Sequence, residues 1–432
     1  MEISKGLKKL ANGFAKQDFH LYIVGGFVRD ILLGLNPKDI DIASNMPIDK
    51  VMEICSTLKF DCKIINKTLG TLQIKNSKEC FEYTRFRTES YTSGHSPSSV
   101  KFVDDLSIDA LRRDLTINSI YYDITSNQII DPLGGLKDLN KHRICTSNQP
   151  DITLRDDGLR ILRVIRFAST YNFKIQRDTA KALKCFRTNL KSISKERILN
   201  ELKLLTVADL KFENPNTIFW DSLNKLELLP LIFNHSLHTI KKLSKKDKNI
   251  FYKLPENLRL TGFYLTVLKN FGKHYMKPAH LKFSINTLFG LEGIRESSEI
   301  IRLLEKLYLI YQNIEHDVDT LNASINYLGL ADDSRMLIHM YLSEQAKERL
   351  DSNIKLVRGK NLPLSVHDLD VTAQDLIDAR IDKRYIGQIL STLYNQVIEM
   401  KIPNKNIALI NTAKNINQTF LDIIKNKRSN YV

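Results

Sequence analysis

The stretch from Leu21 to Ser44, LYIVGGFVRDILLGLNPKDIDIAS, constrains the fold more than any other part of the chain. An apolar run ends in Gly25-Gly26, and a short segment with helical spacing follows. A second strand-like run then brings Asp39 and Asp41 onto one side, because alternate residues of a strand share a face. Two carboxylates beside a glycine turn and an arginine are typical of a site for divalent metal and polyphosphate.

Each residue type in this stretch suits phosphoryl chemistry. Asp39 and Asp41 are predicted to bind Mg²⁺, which would lower the pKa of an attacking hydroxyl and neutralise a departing pyrophosphate. Gly25 and Gly26 let backbone amides approach an anion, and Arg29 offers a bidentate phosphate contact. Taken alone, a solvated turn and an ordinary strand-to-helix connection explain the two motifs equally well.

The net charge of the chain indicates what kind of molecule it binds. The net charge of +15 and the pI near 9.3 favour a polyanion, with nucleic acid as the first candidate. A lysine-rich composition inherited from an AT-rich genome is the alternative explanation. The 5 cysteines form no CxxC pair, which favours reduced thiols in a cytoplasm over a disulfide framework or a zinc site. No apolar window of about 18 residues occurs, so no membrane partner is expected.

Strand and helix patterns divide the chain. Short strand-like runs, including 62–66, 69–75 and 79–86, cluster with a few helices in about the first 140 residues. From Arg155 onward apolar residues recur at three and four, and almost no alternating pattern is left. An α+β fold is indicated, with a small sheet and its helices followed by all-helical segments. The breaks predicted between helical pieces are Asn214-Pro215, Lys241 to Lys248, Pro255 and Gly359 to Pro363.

A second cluster of charged residues is RRDLTIN, residues 112–118, followed by DPLGGLKDL, residues 131–139. We predict that Arg112 and Arg113 lie beside Asp114 on a helix start, where they would contact a triphosphate, and that Asn118 reads a ribose hydroxyl. A structural ion pair explains RRD as well. DPLGG is typical of a tight turn with a role in packing.

A third cluster is DDGLRILRVIRF, in which one helix is predicted over residues 157–166. Its arginines lie three residues apart near one face, and an apolar stripe lies on another. A salt-bridged amphipathic helix is the simplest explanation. Asp157 and Arg160 also offer a distinctive pair, because a carboxylate accepts from the exocyclic amine of C or A while a guanidinium donates to the neighbouring ring acceptor. U and G do not present that pattern, so the pair would select C and A.

The order and spacing of these motifs resemble a known family. GGFVRD with Asp39-Ile40-Asp41, RRDLTIN, DPLGGLKDL, DDGLRILRVIRF and ISKERI are similar to the five motifs of class II tRNA nucleotidyltransferases, the CCA-adding enzymes. That family belongs to the polymerase β-like superfamily, which also includes the bacterial poly(A) polymerases. The resemblance covers residues 20 to about 205.

The resemblance implies a polymerase β-like nucleotidyltransferase head followed by an all-helical neck, body and tail. The expected boundaries are 1–142 for the catalytic head, 143–210 for the neck with its base-selecting motif, 211–325 for the body and 326–432 for a tail that binds tRNA.

The activity implied is addition of C, C and A to the 3′ end of tRNA from CTP and ATP, without a nucleic-acid template, with Mg²⁺ as cofactor and release of pyrophosphate. The acceptor and T-stem of the tRNA would be recognised by duplex shape and backbone. A monomer or homodimer in the cytoplasm is expected. The alternatives are a poly(A) polymerase, a partial CC- or A-adding enzyme, and a non-catalytic RNA-binding protein of the same fold.

The resemblance also implies residue roles. Asp39 and Asp41 would be the catalytic, metal-binding pair, with Glu82 as a third carboxylate. The nucleotide-binding residues would be Gly25, Gly26, Arg29, Asp30, Arg113, Asp114, Asn118, Asp157, Arg160, Arg163 and Arg166. The residues expected to brace the base-selecting helix are Ser194, Glu196 and Arg197.

Two places depart from the family pattern. Where the family usually has Glu-Asp-Pro-Leu-Arg, this chain has Asp156 to Arg160 with Gly158 in the position of the proline. A flexible loop is predicted over Arg87 to Phe102, and in the family this loop helps the pocket switch from C to A. Here it carries Ser93 and His95, where an acidic and a basic residue are common.

Overall fold

The structure is a computed structural model that describes residues 3–37, 39–91, 97–211, 217–233, 243–270, 281–291, 294 and 297–429. The chain divides into two compact units, which are Met1–Ser244 with Phe283–Ser297, and Lys245–Lys282 with Ser298–Val432. The predicted division into head, neck, body and tail stays a prediction. The predicted break at Asn214-Pro215 lies outside the described residues, as does the start of the predicted break at Lys241 to Lys248.

A seven-stranded sheet forms the centre of the N-terminal part. Its strands are β1 Tyr22–Val24, β2 Ile40–Ser44, β3 Asp61–Asn66, β4 Thr71–Lys75, β5 Cys80–Arg85, β8 Tyr121–Asp123 and β9 Gln128–Ile130. Their order is β3-β4-β5-β2-β1-β8-β9, and β2 and β5 run parallel while the other neighbours are antiparallel. The strands expected from the sequence in this region are therefore confirmed.

Five helices accompany this sheet. They are α1 Lys5–Ala15, α2 Gly26–Leu32, α3 Ile48–Leu58, α4 Leu106–Arg112 and α5 Gly135–Asn140. Residues of α1 at helical spacing, including Leu10 and Phe14, are buried, and the Phe14 ring lies 6.1 Å from that of Tyr83 in β5. Gly13 permits close packing of α1 on α3, because a Cβ at Gly13 would lie 2.8 Å from the side chain of Ile54.

The prediction of a flexible loop over Arg87 to Phe102 is wrong for the two ends of this segment, which pair as the arms of a β-hairpin. β6 Arg87–Ser90 and β7 Ser99–Phe102 pair antiparallel, with Arg87 opposite Phe102. Each arm has only four residues, too few for a clear alternating pattern in a polar sequence. Ser93 and His95 lie outside the described part of the chain.

After the sheet, the first unit becomes mainly helical, as expected. Its next elements are β10 Arg143–Ile144, α6 Pro150–Asp156, α7 Leu159–Tyr171, β11 Lys174–Ile175, α8 Arg177–Phe186 and α9 Lys195–Leu205. The parallel pair of β10 and β11 is a small departure from the helical prediction, because two-residue strands leave no periodicity in the sequence. A 3₁₀ turn at Ala208–Lys211 follows α9 and packs on α7.

The remaining elements include the helices α10 Ile218–Lys225, α11 Leu229–Ile232, α12 Lys245–Tyr252, α13 Glu256–Asn270, α14 Leu281–Phe289, α15 Ser298–Glu315, α16 Thr320–Leu328, α17 Asp332–Tyr341, α18 Glu344–Gly359, α19 Ala373–Asp378, α20 Ile386–Ile398 and α21 Asn406–Ser429. In the second unit, α18 ends at Gly359 and α13 begins directly after Pro255, as the predicted breaks require. Among the helices described, none has the length and apolar character needed to cross a bilayer. The α+β fold class with a sheet-containing head and helical remainder is confirmed.

Candidate active site

The glycine turn joins β1 to α2 directly beside a carboxylate. Gly25 has φ +81° and ψ −136°, a conformation that strongly favours glycine. A Cβ at this position would lie 3.5 Å from Oδ2 of Asp41, and Val24 is paired in register with Asp41 on β2. The turn therefore brings backbone next to the predicted catalytic strand.

Three carboxylates lie on or directly beside this strand pair. Asp39 immediately precedes β2, Asp41 lies on it, and Asp41 is in register with Glu82 of the parallel strand β5. Asp41 is exposed to the open cavity described below, but protein lies close enough to its carboxylate to change its pKa. Desolvation and the charge of Glu82 raise the pKa of Asp41, while Arg113 opposes the shift.

This donor set fits a magnesium ion. Carboxylates that repel one another are stabilised by a divalent cation, and Mg²⁺ is usually bound by one or two carboxylates plus water and substrate phosphates. In the described residues, no three acidic, histidine or cysteine side chains are grouped so that they could hold a metal ion by themselves. Asp39 and Asp41 would therefore need oxygen atoms from a nucleotide to complete the coordination of Mg²⁺.

A cavity of about 520 Å³ opens beside this strand and joins it to the helices that follow the sheet. Its lining residues are Gly25, Gly26, Arg29, Asp41, Arg112, Arg113, Asp114, Asn118, Asp157, Leu159, Arg160, Arg163, Arg166, Phe167 and Arg197. Seven arginines against three aspartates give the lining a strong excess of positive charge. The cavity therefore suits a polyanionic ligand such as a nucleoside triphosphate.

The structure brings together 11 of the predicted site residues in this lining. They are Gly25, Gly26, Arg29, Asp41, Arg113, Asp114, Asn118, Asp157, Arg160, Arg163 and Arg166. Asp39 and Asp30 are outside the lining, although Asp39 is close enough to Asp41 to influence its pKa. The contacts of these residues with nucleotide or metal stay predictions.

The prediction that RRD lies on a helix start is wrong, because α4 ends at Arg112. Asp109, which was not predicted from the sequence, is fully buried one turn earlier on α4. Its carboxylate accepts from Arg112 Nε at 2.8 Å, from Arg113 Nη2 at 3.1 Å and from the Tyr121 hydroxyl at 2.7 Å. The spacing of three and four residues from Asp109 to the arginines was the available signal.

A series of hydrogen bonds connects residues that line the cavity. Arg163 donates from Nε at 2.9 Å and Nη2 at 2.6 Å to Oδ2 of Asp114, and Asn118 donates to Oδ1 at 3.0 Å. Asn118 in turn accepts from Arg29. Burial would raise the pKa of Asp114, but Arg163 and Asn118 lower it well below its ordinary value. Asp114 is therefore a fixed anion that orients cationic and amide side chains.

Asp157 and Arg160 line the cavity, but the prediction that both lie on one helix is wrong. Asp157 has an extended conformation between α6 and α7, and α7 begins at Leu159. Asp157 accepts from the backbone N–H of Leu159 at 3.0 Å and from Arg197 Nη2 at 2.8 Å. Arg160 donates to the carbonyl oxygens of Thr153 and of the last residue of α4 at 3.3 and 2.6 Å. Separate partners thus hold the two groups that were predicted to read the base.

The brace expected from the ISKERI motif is present in part. Ser194 caps α9 by accepting from the backbone N–H of Arg197 at 3.4 Å, and Arg197 then reaches Asp157. The neighbouring helix also supplies Glu201, which accepts from Arg166 Nε at 2.6 Å and was missed in the sequence. The packing of α9 on α7 therefore orients two polar groups of the cavity.

The hairpin contributes further residues that the sequence analysis did not assign. Glu89 accepts from Arg87 Nε at 2.7 Å and from Tyr91, and its other cationic neighbour is Arg112 at 3.7 Å. The Arg160 guanidinium lies 5.9 Å from the Tyr91 ring centroid. Burial alone would raise the pKa of Glu89, but these arginines and Tyr91 outweigh it and lower that pKa below its ordinary value. The first arm of the hairpin is thus tied to the residues around the cavity.

Gly158 carries a prediction about local packing. A Cβ at Gly158 would lie 2.6 Å from the backbone oxygen of Asn189, so Gly158→Ala requires backbone movement. We expect a loss of about 1–3 kcal/mol in stability of the first unit. Urea unfolding measures this loss of stability. The signal is the fluorescence of Trp220, the single tryptophan of the chain, which is buried in the first unit.

The control for this prediction is Gly387→Ala in α20, where nothing lies within 4 Å of the added methyl group. We expect an unchanged Trp220 transition for the control. Equal midpoints for Gly158→Ala and the natural chain would contradict the close packing described.

A second prediction concerns acid stability. The pKa values of Asp30, Glu89, Asp109 and Asp114 are all lowered, because arginines and hydrogen-bond donors outweigh the effect of burial. Their stabilising contribution is complete above about pH 4, the ordinary range of carboxyl groups, and is lost as the pH falls through the lower folded values. The urea midpoint of the first unit should therefore fall steeply below about pH 4.

The matched variants are Asp114→Asn and Asp351→Asn. The first should lower the midpoint at neutral pH and flatten its fall in acid, because the group no longer titrates. Asp351 is exposed on α18, so its variant should follow the natural profile. A midpoint for the natural chain that stays constant down to pH 3 would contradict this account.

Comparisons with known proteins agree with this geometry. Residues 21–145 match the family model for the poly A polymerase head domain, and residues 172–208 match a probable RNA and SrmB- binding site of polymerase A. A CCA-adding enzyme of Lactococcus lactis subsp. cremoris (strain MG1363) is 29% identical over 408 residues, which cover 93% of each chain. A CCA-adding enzyme of Bacillus pumilus (strain SAFR-032) is 39% identical over 43% of this chain and 46% of its own length.

A solved structure has the same fold. The Thermotoga maritima CCA-adding enzyme complexed with tRNA_CCA superposes with a TM-score of 0.63 at 18% identity, covering 95% of both chains. The sheet, the cavity with its carboxylate strand, and the matching head model define a nucleotidyltransferase. The chain is therefore similar to the tRNA nucleotidyltransferase and poly(A) polymerase family, and its match over nearly the whole length is to a CCA-adding enzyme.

Proposed function

We propose that this chain adds C, C and A in turn to the 3′ end of tRNA, using CTP and ATP and releasing pyrophosphate at each step. The proposal is supported by a single cavity that Asp41, the predicted phosphoryl-transfer residue, lines together with Asp157 and Arg160. The sheet would supply the chemistry, and the residues before and on α7 would supply the choice of base.

The phosphoryl step follows from the charges around Asp41. Asp39 and Asp41 would hold Mg²⁺, whose positive charge would supply activation of the 3′ hydroxyl of the tRNA and neutralisation of the leaving pyrophosphate. A bond forms between this hydroxyl oxygen and the α-phosphorus, the bond from that phosphorus to the pyrophosphate breaks, and the hydroxyl proton passes to solvent. Arg29 and Arg113 would bind the triphosphate, since each is held by a buried carboxylate and needs no reorganisation.

Base selection would use the remaining hydrogen-bonding capacity of Asp157 and Arg160. Each oxygen of Asp157 already accepts one protein donor, and each terminal nitrogen of Arg160 donates to one carbonyl oxygen. A carboxylate and a guanidinium have further capacity for a base edge. Cytosine and adenine offer an amine beside a ring acceptor, which matches this pair. Uracil and guanine reverse this order, because in the same orientation they place a carbonyl oxygen against the carboxylate and an N–H against the guanidinium, which is costly.

The polyanionic partner proposed is tRNA, bound through the shape and phosphates of its acceptor and T-stem. The net charge of +15 is consistent with this partner. A poly(A) polymerase is the second candidate, because the matching head model carries that description. The base-selecting pair favours alternating use of CTP and ATP over repeated use of ATP alone. The oligomeric state and the cytoplasmic location stay predictions.

The test uses tRNAs with three different ends: before CCA, after the first C, and after CC. Each is incubated with CTP alone, ATP alone or both, and product lengths are resolved on a gel. With CTP alone we expect two additions of C to the first substrate and one to the second. With ATP alone we expect one addition of A to the third. Repeated A addition to every substrate would show a poly(A) polymerase, and addition of C without A would show a partial enzyme.

A further inference from the structure

Asp30 does not line the cavity, and its carboxylate is buried against the end of α7. The residue is 8% exposed. The Tyr171 hydroxyl donates to Oδ1 at 2.6 Å, and Lys211 Nζ donates to Oδ2 at 2.9 Å. Tyr171 is the last residue of α7, and Lys211 ends the 3₁₀ turn at Ala208–Lys211. Two distant segments therefore hold one carboxylate.

The same carboxylate fixes Arg29, which does line the cavity. Arg29 Nε donates to Asp30 Oδ1 at 2.8 Å, Nη2 lies 2.8 Å from the same oxygen, and Nη1 donates to Asn118. The rings of Phe167 and Tyr171 lie 5.1 and 4.8 Å from its guanidinium carbon. A guanidinium has five N–H donors. Among the described contacts, one N–H on each terminal nitrogen is therefore left for a ligand, as a fork suited to two phosphate oxygens.

The charge balance of this cluster depends on Lys211. Asp30 compensates the charge of Arg29, so the pair alone is neutral. The Lys211 ammonium, 2.9 Å from the second carboxylate oxygen and 3.1 Å from the Tyr171 hydroxyl, leaves the cluster with one net positive charge. Asp30 is also prevented from rotating, because both of its oxygens are engaged.

We propose that Lys211 and Tyr171 are positioning residues that act through Asp30 to aim Arg29 at the triphosphate. They would strengthen binding of every nucleotide equally, since none of them is placed to read the base. The inference rests on the proposed function, because it takes a nucleoside triphosphate as the ligand of the cavity.

Steady-state kinetics of CTP and ATP addition to tRNAs of the appropriate ends tests this inference. Lys211→Met should raise KM for both nucleotides by about tenfold with little change in kcat, because one charge-assisted contact to a fixed group is lost. Lys211→Arg restores a cation and should return KM to within about threefold of the natural chain. Tyr171→Phe should raise both KM values by about threefold, since it removes one hydrogen bond.

A double-mutant cycle separates positioning from a structural tie between the segments. With Arg29→Ala already present, Lys211→Met should change kcat/KM by less than about twofold, because the group it acts through is gone. The control Lys184→Met alters an exposed lysine on α8 and should leave all parameters unchanged.

Three results would overturn the inference. They are an unchanged KM in Lys211→Met, an effect confined to one nucleotide, and an equal effect with and without Arg29. If the natural chain extended no tRNA, the proposed function would fail instead. The inference would then be decided by equilibrium binding of CTP, which Lys211→Met should weaken by about tenfold only when Arg29 is present.

Discussion

Replacing Asp41 by alanine is expected to lower nucleotide incorporation by about a thousandfold or more while tRNA binding and folding persist. The carboxylate lies on β2 in register with Glu82, next to the Gly25 turn and at the edge of the arginine-lined cavity. Its removal relieves repulsion between neighbouring carboxylates, so the sheet should not lose stability. Asp39→Ala should have the same consequence, because both residues are proposed to hold one cofactor.

Single-turnover incorporation of CTP into tRNA lacking CCA measures this effect, and a filter-binding assay measures tRNA affinity. Asp61→Ala is the matched control, because Asp61 is also an exposed aspartate on a strand of the same sheet. Asp41→Asn keeps the size of the side chain and separates charge from packing. Normal turnover in Asp41→Ala would remove this residue from the catalytic role.

Replacing Arg160 by methionine is expected to weaken the choice of base more than the rate of transfer. The guanidinium is buried and held by two backbone oxygens, so its position is fixed before a nucleotide arrives. Losing one specific base contact should raise UTP and GTP incorporation relative to CTP by about ten- to hundredfold, which corresponds to about 1–3 kcal/mol. Competition between nucleotides for the same tRNA end measures this ratio.

Arg177→Met is the control for charge and side-chain length, because Arg177 is exposed at the start of α8 and outside the cavity. It should leave base choice unchanged. If Arg160→Met rejected UTP and GTP as well as the natural chain does, Arg160 would have no part in selecting the base.

Much of the catalytic strand was predictable from sequence because its signals are local. The glycine turn, the alternation that was expected to place Asp39 beside Asp41, and the helix between them all lie within the stretch from Leu21 to Ser44. The separation into a sheet-containing head and a helical remainder was equally predictable, because periodicity changes near Arg155. These features depend on neighbours in the chain, which a single sequence records.

The partners of the site residues were not predictable, because they depend on contacts between distant segments. Asp30 was predicted to touch nucleotide, yet it is held by Tyr171, 141 residues away, and by Lys211, 181 residues away. Asp157 was predicted on a helix, but its position is set by the start of α7 and by Arg197. The contacts of Asp109 with Arg112 and Arg113, by contrast, left a local signal in their helical spacing.

The short strands were missed for a different reason. Each arm of the hairpin has four residues, and β10 and β11 have two each. Such segments are too short for an alternating pattern to be distinguished from a loop. Their pairing comes from tertiary context, such as the contact of Asp109 with the backbone N–H of Arg87 at 3.2 Å.

One protein pocket is proposed both to perform the transfer and to choose the bases. The most direct measurement is the mass of the product formed when a tRNA lacking CCA is incubated with this chain, Mg²⁺ and all four nucleoside triphosphates together. The account predicts one product, longer by C, C and A and no more. A ladder of adenylates, or a product containing U or G, would contradict it.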